Sequence, residues 1–286
     1  MMLDKLVQLP IWFFVLLVTT ATVVAVLGGL YIKYRFLPSF RISPEDNQSA
    51  NILIRLASTL LTVMLAFMVI SIWKDYDVQR SNTEKEACVL GNLYRDARGT
   101  NPKTEAEVQR LIINYTKIVV EDGWPGMAET RESKAAWQAF NELYGFVIRI
   151  NPESKKEEIV YSKLLNHINE LASYRRLRQL RNQTPSMPAF MTGIIFLASF
   201  VNIIFSYLIR VENRTMHQIM VGLSGTMLGL VFSLILLLNN PYRSSVRVSP
   251  NPLKNLLDDV FPMADITLAQ NSGKEETMLF KNQPGR

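Results

Sequence analysis

Cysteine and histidine are nearly missing from this chain: Cys88 stands alone, and His167 and His217 are the only imidazoles in 286 residues. One thiol closes no intrachain disulfide, and Cys88 reads as a small, partly buried residue. His167 and Glu170 are spaced to share a metal, but two ligands leave a site half built. No metal and no other cofactor is expected. The G-x-S-x-G, H-E-x-x-H, phosphate-loop and dinucleotide fingerprints are absent. Glu84, Glu86, Glu121 and Asp122 read as solvated or paired charges, so no catalytic residue and no enzyme is expected.

Charge is also missing, over four long blocks. None occurs from residue 10 to 32, between Arg55 and Lys74, between Arg181 and Arg210, or between Arg214 and Arg243. The mean hydropathy is only slightly positive because polar segments dilute these blocks. A hydrocarbon core about 30 Å thick needs roughly 20 apolar residues at 1.5 Å each, and each block is near or above that length. The first is too long for a cleaved leader, and Tyr31-Ile32-Lys33-Tyr34-Arg35 after it is a poor cleavage site. The expected fold is an all-α integral membrane protein with four transmembrane helices and a helical cytosolic extension. Its net charge of +6 belongs to the flanks of the spans and to lipid headgroups, and no nucleic-acid partner is expected.

Four segments follow. Residues 1–75 hold transmembrane helices 1 and 2, the first ending near Gly28-Gly29 and the second beginning near Ile52 after a basic linker, 33–51. No proline interrupts residues 52–97, so the second helix is expected to leave the bilayer unbroken, with Gly91 its one weak point, and to stop at Gly99 and Pro102. Residues 76–187 form the cytosolic helical domain. There Thr104 and Glu107 have capping-box spacing ahead of Val108, Leu111, Ile112, Tyr115 and Ile118. A further helix places Trp137, Phe140, Tyr144, Val147 and Ile148 on one face. Asn151-Pro152 reads as a cap ahead of Val160, Leu164, Ile168 and Leu171. Residues 188–240 hold spans 3 and 4 as a hairpin. Residues 241–286 form a polar C-terminal tail with one short helix near 252–260, and the stretch from Asn271 is expected to be disordered.

Four spans put both termini and the central domain on one side. Near the span ends that side carries Lys5, Lys74, Arg80, Lys85, Arg175, Arg176, Arg178, Arg181, Arg243, Arg247 and Lys254. The other carries Lys33, Arg35, Arg41, Arg55, Arg210 and Arg214. The positive-inside rule then makes the domain cytoplasmic. The spans bury no ionisable group at depth, which proton-coupled transport and voltage sensing call for, and show no broken helix at mid-membrane. Their polar groups are small. Ser199, Asn202 and Ser206 share a face suited to interhelical hydrogen bonds or to a wet surface. Gly222, Gly225 and Gly229 give span 4 a small face for helix packing. Ser58, Thr62 and Ala66 form a stripe on span 2 that suits either close packing or a pore lining, with Leu65 and Val69 as an apolar constriction that gates by dewetting.

The exit of span 2, Trp73-Lys74-Asp75-Tyr76-Asp77-Val78-Gln79-Arg80 followed by Glu86-Ala87, then Leu93-Tyr94-Arg95-Asp96-Ala97, residues 115–121 and Trp124-Pro125, resemble the bestrophin-like bacterial membrane family. So do the basic helix 175–181 leading to Pro185 and Pro188, and Asn240-Pro241-Tyr242 with Val246, Val248 and Pro250. The resemblance covers about residues 50–260. It departs in span 2, which has the single phenylalanine Phe67 and no proline, and at the acidic position near the end of the last span, here Asn239 or Asn240.

The resemblance implies a bacterial inner membrane protein with cytosolic termini, assembled as a homo-oligomer, a pentamer in true bestrophins, around an axis lined by span 2. The expected function is an oligomeric ion channel that takes inorganic ions, anions slightly preferred. The alternative is a non-conducting membrane scaffold or signalling adaptor whose cytosolic helices bind a partner.

Overall fold

The computed structural model describes residues 6–36 and 44–262. Lys5, Arg41 and the stretch from Asn271 lie outside them. Among the described residues every regular element is helical and no strand occurs. In order the helices are α1, Ile11–Phe36; α2, Pro44–Asp96; α3, Pro102–Ile118; α4, Trp124–Ala128; α5, Lys134–Val147; α6, Lys155–Gln183; α7, Ala189–Leu208; α8, Arg214–Leu238; and α9, Asn251–Asn255. The chain divides into two compact units. The first is Met1–Val78 with Thr184–Val248, the second Gln79–Gln183 with the segment from Ser249. α2 contributes its N-terminal part to the first and its C-terminal part to the second.

In the first unit, α1, the apolar part of α2, α7 and α8 are each long and apolar enough to cross a membrane. Only α8 has much of its apolar window covered by the chain, 44% against 11% for α1 and for α7, so α8 is the central helix. Large apolar side chains such as Trp12, Leu16, Phe67, Phe190 and Met227 are exposed. A chain dissolved in water rarely presents so much apolar surface. The core joins Leu61, Leu65, Met68 and Ile72 of α2 to Ile195 of α7 and Phe232, Ile235 and Leu238 of α8.

Two helix ends differ from expectation. α1 continues through Gly28-Gly29 to Phe36. Gly29 is there for proximity: a β-carbon on it would lie 2.6 Å from the Tyr207 hydroxyl oxygen, and that hydroxyl donates to the Val26 carbonyl at 2.5 Å. α2 begins at Pro44 rather than near Ile52, because proline in a first turn gives up only an N–H that has no helical partner there.

The second unit is built on buried stripes. α3 buries Val108, Leu111, Ile112 and Tyr115. Its cap is Asn101, not Thr104: the Asn101 side chain accepts from the Thr104 N–H at 2.9 Å, and Pro102 opens the helix instead of marking a stop. α5 buries Ala136, Ala139, Phe140, Leu143 and Val147, while Trp137 and Ile148, expected on that face, are exposed. α6 is capped by Ser154, whose Oγ accepts from the Glu157 N–H at 3.2 Å while Glu157 Oε2 accepts from the Glu153 N–H at 2.8 Å. That reciprocal pair displaces the expected Asn151-Pro152 start.

Residues from 241 onward do not behave as a polar tail where they are described. Tyr242 and Val248 are buried in the first unit, with the Val248 N–H donating to the Pro241 carbonyl at 2.7 Å. In the second unit Leu253, Leu256 and Phe261 are buried, and the Phe261 ring stacks on Tyr94 with centroids 4.7 Å apart. Leu256 also fills the space over Gly91. Apolar residues at helical spacing anchor a segment whose average composition is polar.

Candidate functional site

α2 has one face in the core and, beside it, a row of residues mostly left exposed among the described residues. Leu61, Leu65, Met68 and Ile72 form the first. To one side of them Arg55, Thr59, Thr62, Ala66 and Trp73 are exposed, while Val69 is half-buried and packs against that core. Their spacing alternates four and three residues, a pattern suited to packing against another helix at a shallow angle. The hydroxyls of Thr59 and Thr62 donate to the carbonyls of Arg55 and Ser58 one turn back, at 2.8 Å each. The seam is therefore small, uncharged along its middle and wettable, with a guanidinium at its start.

This arrangement re-sorts the stripe read from sequence. Thr62 and Ala66 lie on the exposed seam. Ser58 turns away from it: the Asn202 side chain donates to Ser58 Oγ at 2.9 Å. Leu65 points into the core at 8% exposure and is removed from the constriction, because a side chain packed inside one chain cannot also face an axis. Thr59 joins the seam. A three-four alternation would have included it, where a strict four-residue step does not.

The polar residues of α7 face neighbouring helices. Besides its bond to Ser58, Asn202 offers its carbonyl to the Ser206 hydroxyl at 3.1 Å, and Ser199 is buried. The Ser206 carbonyl lies 3.1 Å from His217 Nε2, and the Tyr34 hydroxyl 2.6 Å from His217 Nδ1. A carbonyl only accepts, so Nε2 carries the proton and Nδ1 accepts from Tyr34. His217 is a buried link between α1, α7 and α8. The Asn239 side chain accepts from the Met187 N–H at 2.9 Å, so an amide at the departing position ties the entrance of α7 to the exit of α8.

The small face of α8 meets α1 of the same chain. Gly222 lies under Leu27, Gly225 under Val26 and Val23, and Gly229 against Thr19.

The second unit contains a charged cluster that sequence reasoning passed over. Glu86, on α2, is 1% exposed. It accepts from Arg178 Nε at 2.8 Å and Nη2 at 3.0 Å, and from the Tyr115 hydroxyl at 3.1 Å. Arg178 also lies over the Trp124 ring, 5.1 Å from its centroid. Burial, and then the negative charge of Glu86, push the Tyr115 phenol far above its ordinary value, which keeps it a donor. Nothing in the local sequence marks Glu86, since its partner lies 92 residues away.

His167 pairs with an aspartate of α2. Its Nδ1 lies 3.0 Å from Asp96 Oδ2, and among the described residues no group of three or more His, Cys, Asp or Glu is placed to hold an ion. Cys88 is exposed rather than partly buried.

No curated protein and no solved structure matches the chain. A family model, that of the bestrophin-like domain, matches residues 20–253. That match takes in the seam-bearing helix, the Glu86–Arg178 cluster and the α1–α8 contact, and by it this chain belongs to the bestrophin-like family.

Proposed function

We propose that four helices, α1, the first part of α2, α7 and α8, cross a bacterial inner membrane, and that copies of the chain assemble around an axis lined by α2 to conduct ions. The observation that carries this reading is the exposed three-four seam of Arg55, Thr59, Thr62, Ala66 and Trp73, with half-buried Val69 at its edge. Its small wettable middle suits a narrow pathway better than it suits lipid. Val69, half-buried against the core of its own chain, borders that middle as an apolar side chain. Family membership supports the reading, since bestrophins are ion channels, and the pentamer is carried over from them.

Anions are preferred. In a symmetric assembly Arg55 would form a ring of guanidinium groups at one mouth, and rings of basic side chains select anions. The second unit lies in the cytoplasm together with the termini. Arg175 and Arg178 are buried in that unit and drop out of the positive-inside comparison. Lys74, Arg80, Lys85, Arg176, Arg181, Arg243, Arg247 and Lys254 still outweigh the basic residues of the opposite side.

The test is ion flux in proteoliposomes. Wild-type protein should pass chloride. Thr62→Trp should block flux with the oligomer intact, and Arg55→Glu should shift preference toward cations. Wild-type vesicles that pass no ion, or flux indifferent to Thr62→Trp, would leave the scaffold or adaptor as the function.

A further inference from the structure

Among the described residues of the second unit, one buried cation has no acidic partner. Arg175, on α6, is 8% exposed. Its guanidinium lies over two aromatic faces, 4.8 Å from the Phe140 centroid and 5.6 Å from that of Trp137. Aromatic faces hold the plane of a guanidinium but leave its N–H edges free. Its Nη2 is buried and has no hydrogen-bond partner. Burial lowers the pKa of the group, yet an arginine stays charged in proteins.

Neighbouring charges are already matched. Glu86 takes Arg178, and Asp122 takes Arg131 at 2.8 Å. Glu132 is exposed and accepts from the Gln183 amide at 3.2 Å, so water screens it. One buried positive charge is left over, beside empty space. A cavity of about 30 Å³ is lined by Arg175, Arg178, Gln179, Asn182 and Ser133, with exposed Thr130, Arg131 and Glu132 at its rim, two cations to one carboxylate before Arg131 is counted. A single water needs about 10–15 Å³ by the same measure.

From the unmatched guanidinium and the adjoining space we propose that this cavity is a binding site for a small anion of halide size. The N–H edge of Arg175 is its principal donor, and Arg178 and the Gln179 amide stand beside it. A buried charge without a counter-ion is costly, and an anion of one charge offsets that cost within a volume that excludes bulkier ligands. The site is separate from the seam on α2 and does not depend on conduction.

Thermal unfolding of the full chain in detergent, in chloride or gluconate at equal ionic strength, tests it. Gluconate is too large for the cavity. Chloride should raise the wild-type midpoint by on the order of 3 °C. Arg175→Gln should remove that difference, which excludes chloride bound elsewhere as its cause. Gln179→Glu, which supplies a tethered carboxylate, should raise the midpoint in gluconate and abolish the response to chloride. It decides the matter if Arg175→Gln does not fold. Equal midpoints for the wild type in the two salts, or a chloride response that survives either substitution, would overturn the site.

Discussion

Gly229 and Thr19 meet backbone to backbone: a β-carbon on Gly229 would lie 2.7 Å from the Thr19 Cα. No rotamer change relieves a clash with main chain, so α1 and α8 would have to separate. At Gly225 the nearest atoms are Val26 Cβ at 3.4 Å and Cγ2 at 3.5 Å, and at Gly222 only the end of Leu27 at 3.8 Å. Alanine should therefore be graded along one helix face. Gly229→Ala should cost about 2–3 kcal/mol by overpacking, and Gly225→Ala less. Gly222→Ala should be neutral or slightly stabilising, since alanine favours helix. Thermal unfolding of the three variants reads the gradient, and equal effects would contradict the close approach.

Ser58 and Thr62 sit one turn apart and should separate packing from permeation. Ser58→Ala removes the partner of Asn202 and should cost about 1 kcal/mol. Flux in proteoliposomes should not change. Thr62→Ala should do the reverse, leaving stability within about 0.5 kcal/mol and altering flux. Equal flux changes in both variants would mean that Ser58 also reaches the pathway.

The cluster of Glu86, Arg178 and Tyr115 predicts a stability that depends on both charge and pH. Glu86→Gln strands a buried guanidinium and should cost about 3–5 kcal/mol, while Glu86→Leu combined with Arg178→Met should recover much of it. Tyr115 has a folded pKa raised above the ordinary 10.0. Its contribution is complete below pH 10 and is lost as pH rises further, because only the unfolded phenol then ionises. Tyr115→Phe should be about 1 kcal/mol less stable near neutrality and lose less stability above pH 10. Denaturant midpoints measured from pH 8 to 11 distinguish the two curves, and parallel curves would refute the assignment.

Cys88 provides a topology label without engineering, being both exposed and the only thiol. A membrane-impermeant maleimide should fail to modify it in intact cells and succeed after permeabilisation. Glu212→Cys in the loop between α7 and α8, on a Cys88→Ser background, should show the opposite pattern. Labelling of Cys88 from outside would reverse the orientation.

Much of the first unit was legible because charge is excluded from apolar helices. α7, Ala189–Leu208, lies inside the charge-free block between Arg181 and Arg210, and α8, Arg214–Leu238, begins at Arg214 and ends short of Arg243. Legibility failed where a residue has two physical uses. Gly28-Gly29 resembles a helix end, but Gly29 serves close approach to Tyr207. Pro102 resembles a stop, but it starts α3. Of the stripe read on α2, Thr62 and Ala66 are exposed, whereas Ser58 bonds Asn202, since a four-residue step drifts around the helix, and Leu65 is buried in the core. Glu86 and Arg175 were noted as charges, but their burial was not legible, since only the tertiary fold decides which of many acidic and basic residues loses its water.

The contact between Thr19 and Gly229 joins residues 210 positions apart in sequence (229 − 19). A ribosome adding about 5–20 residues per second needs roughly 10–40 s to travel that distance. Throughout that interval the nascent first helix lacks the surface it will finally press against. Newly inserted α1 must wait in lipid, or against an insertion factor, until the last helix emerges. A chain cut short before residue 214 would leave α1 without its partner, a target for membrane quality control.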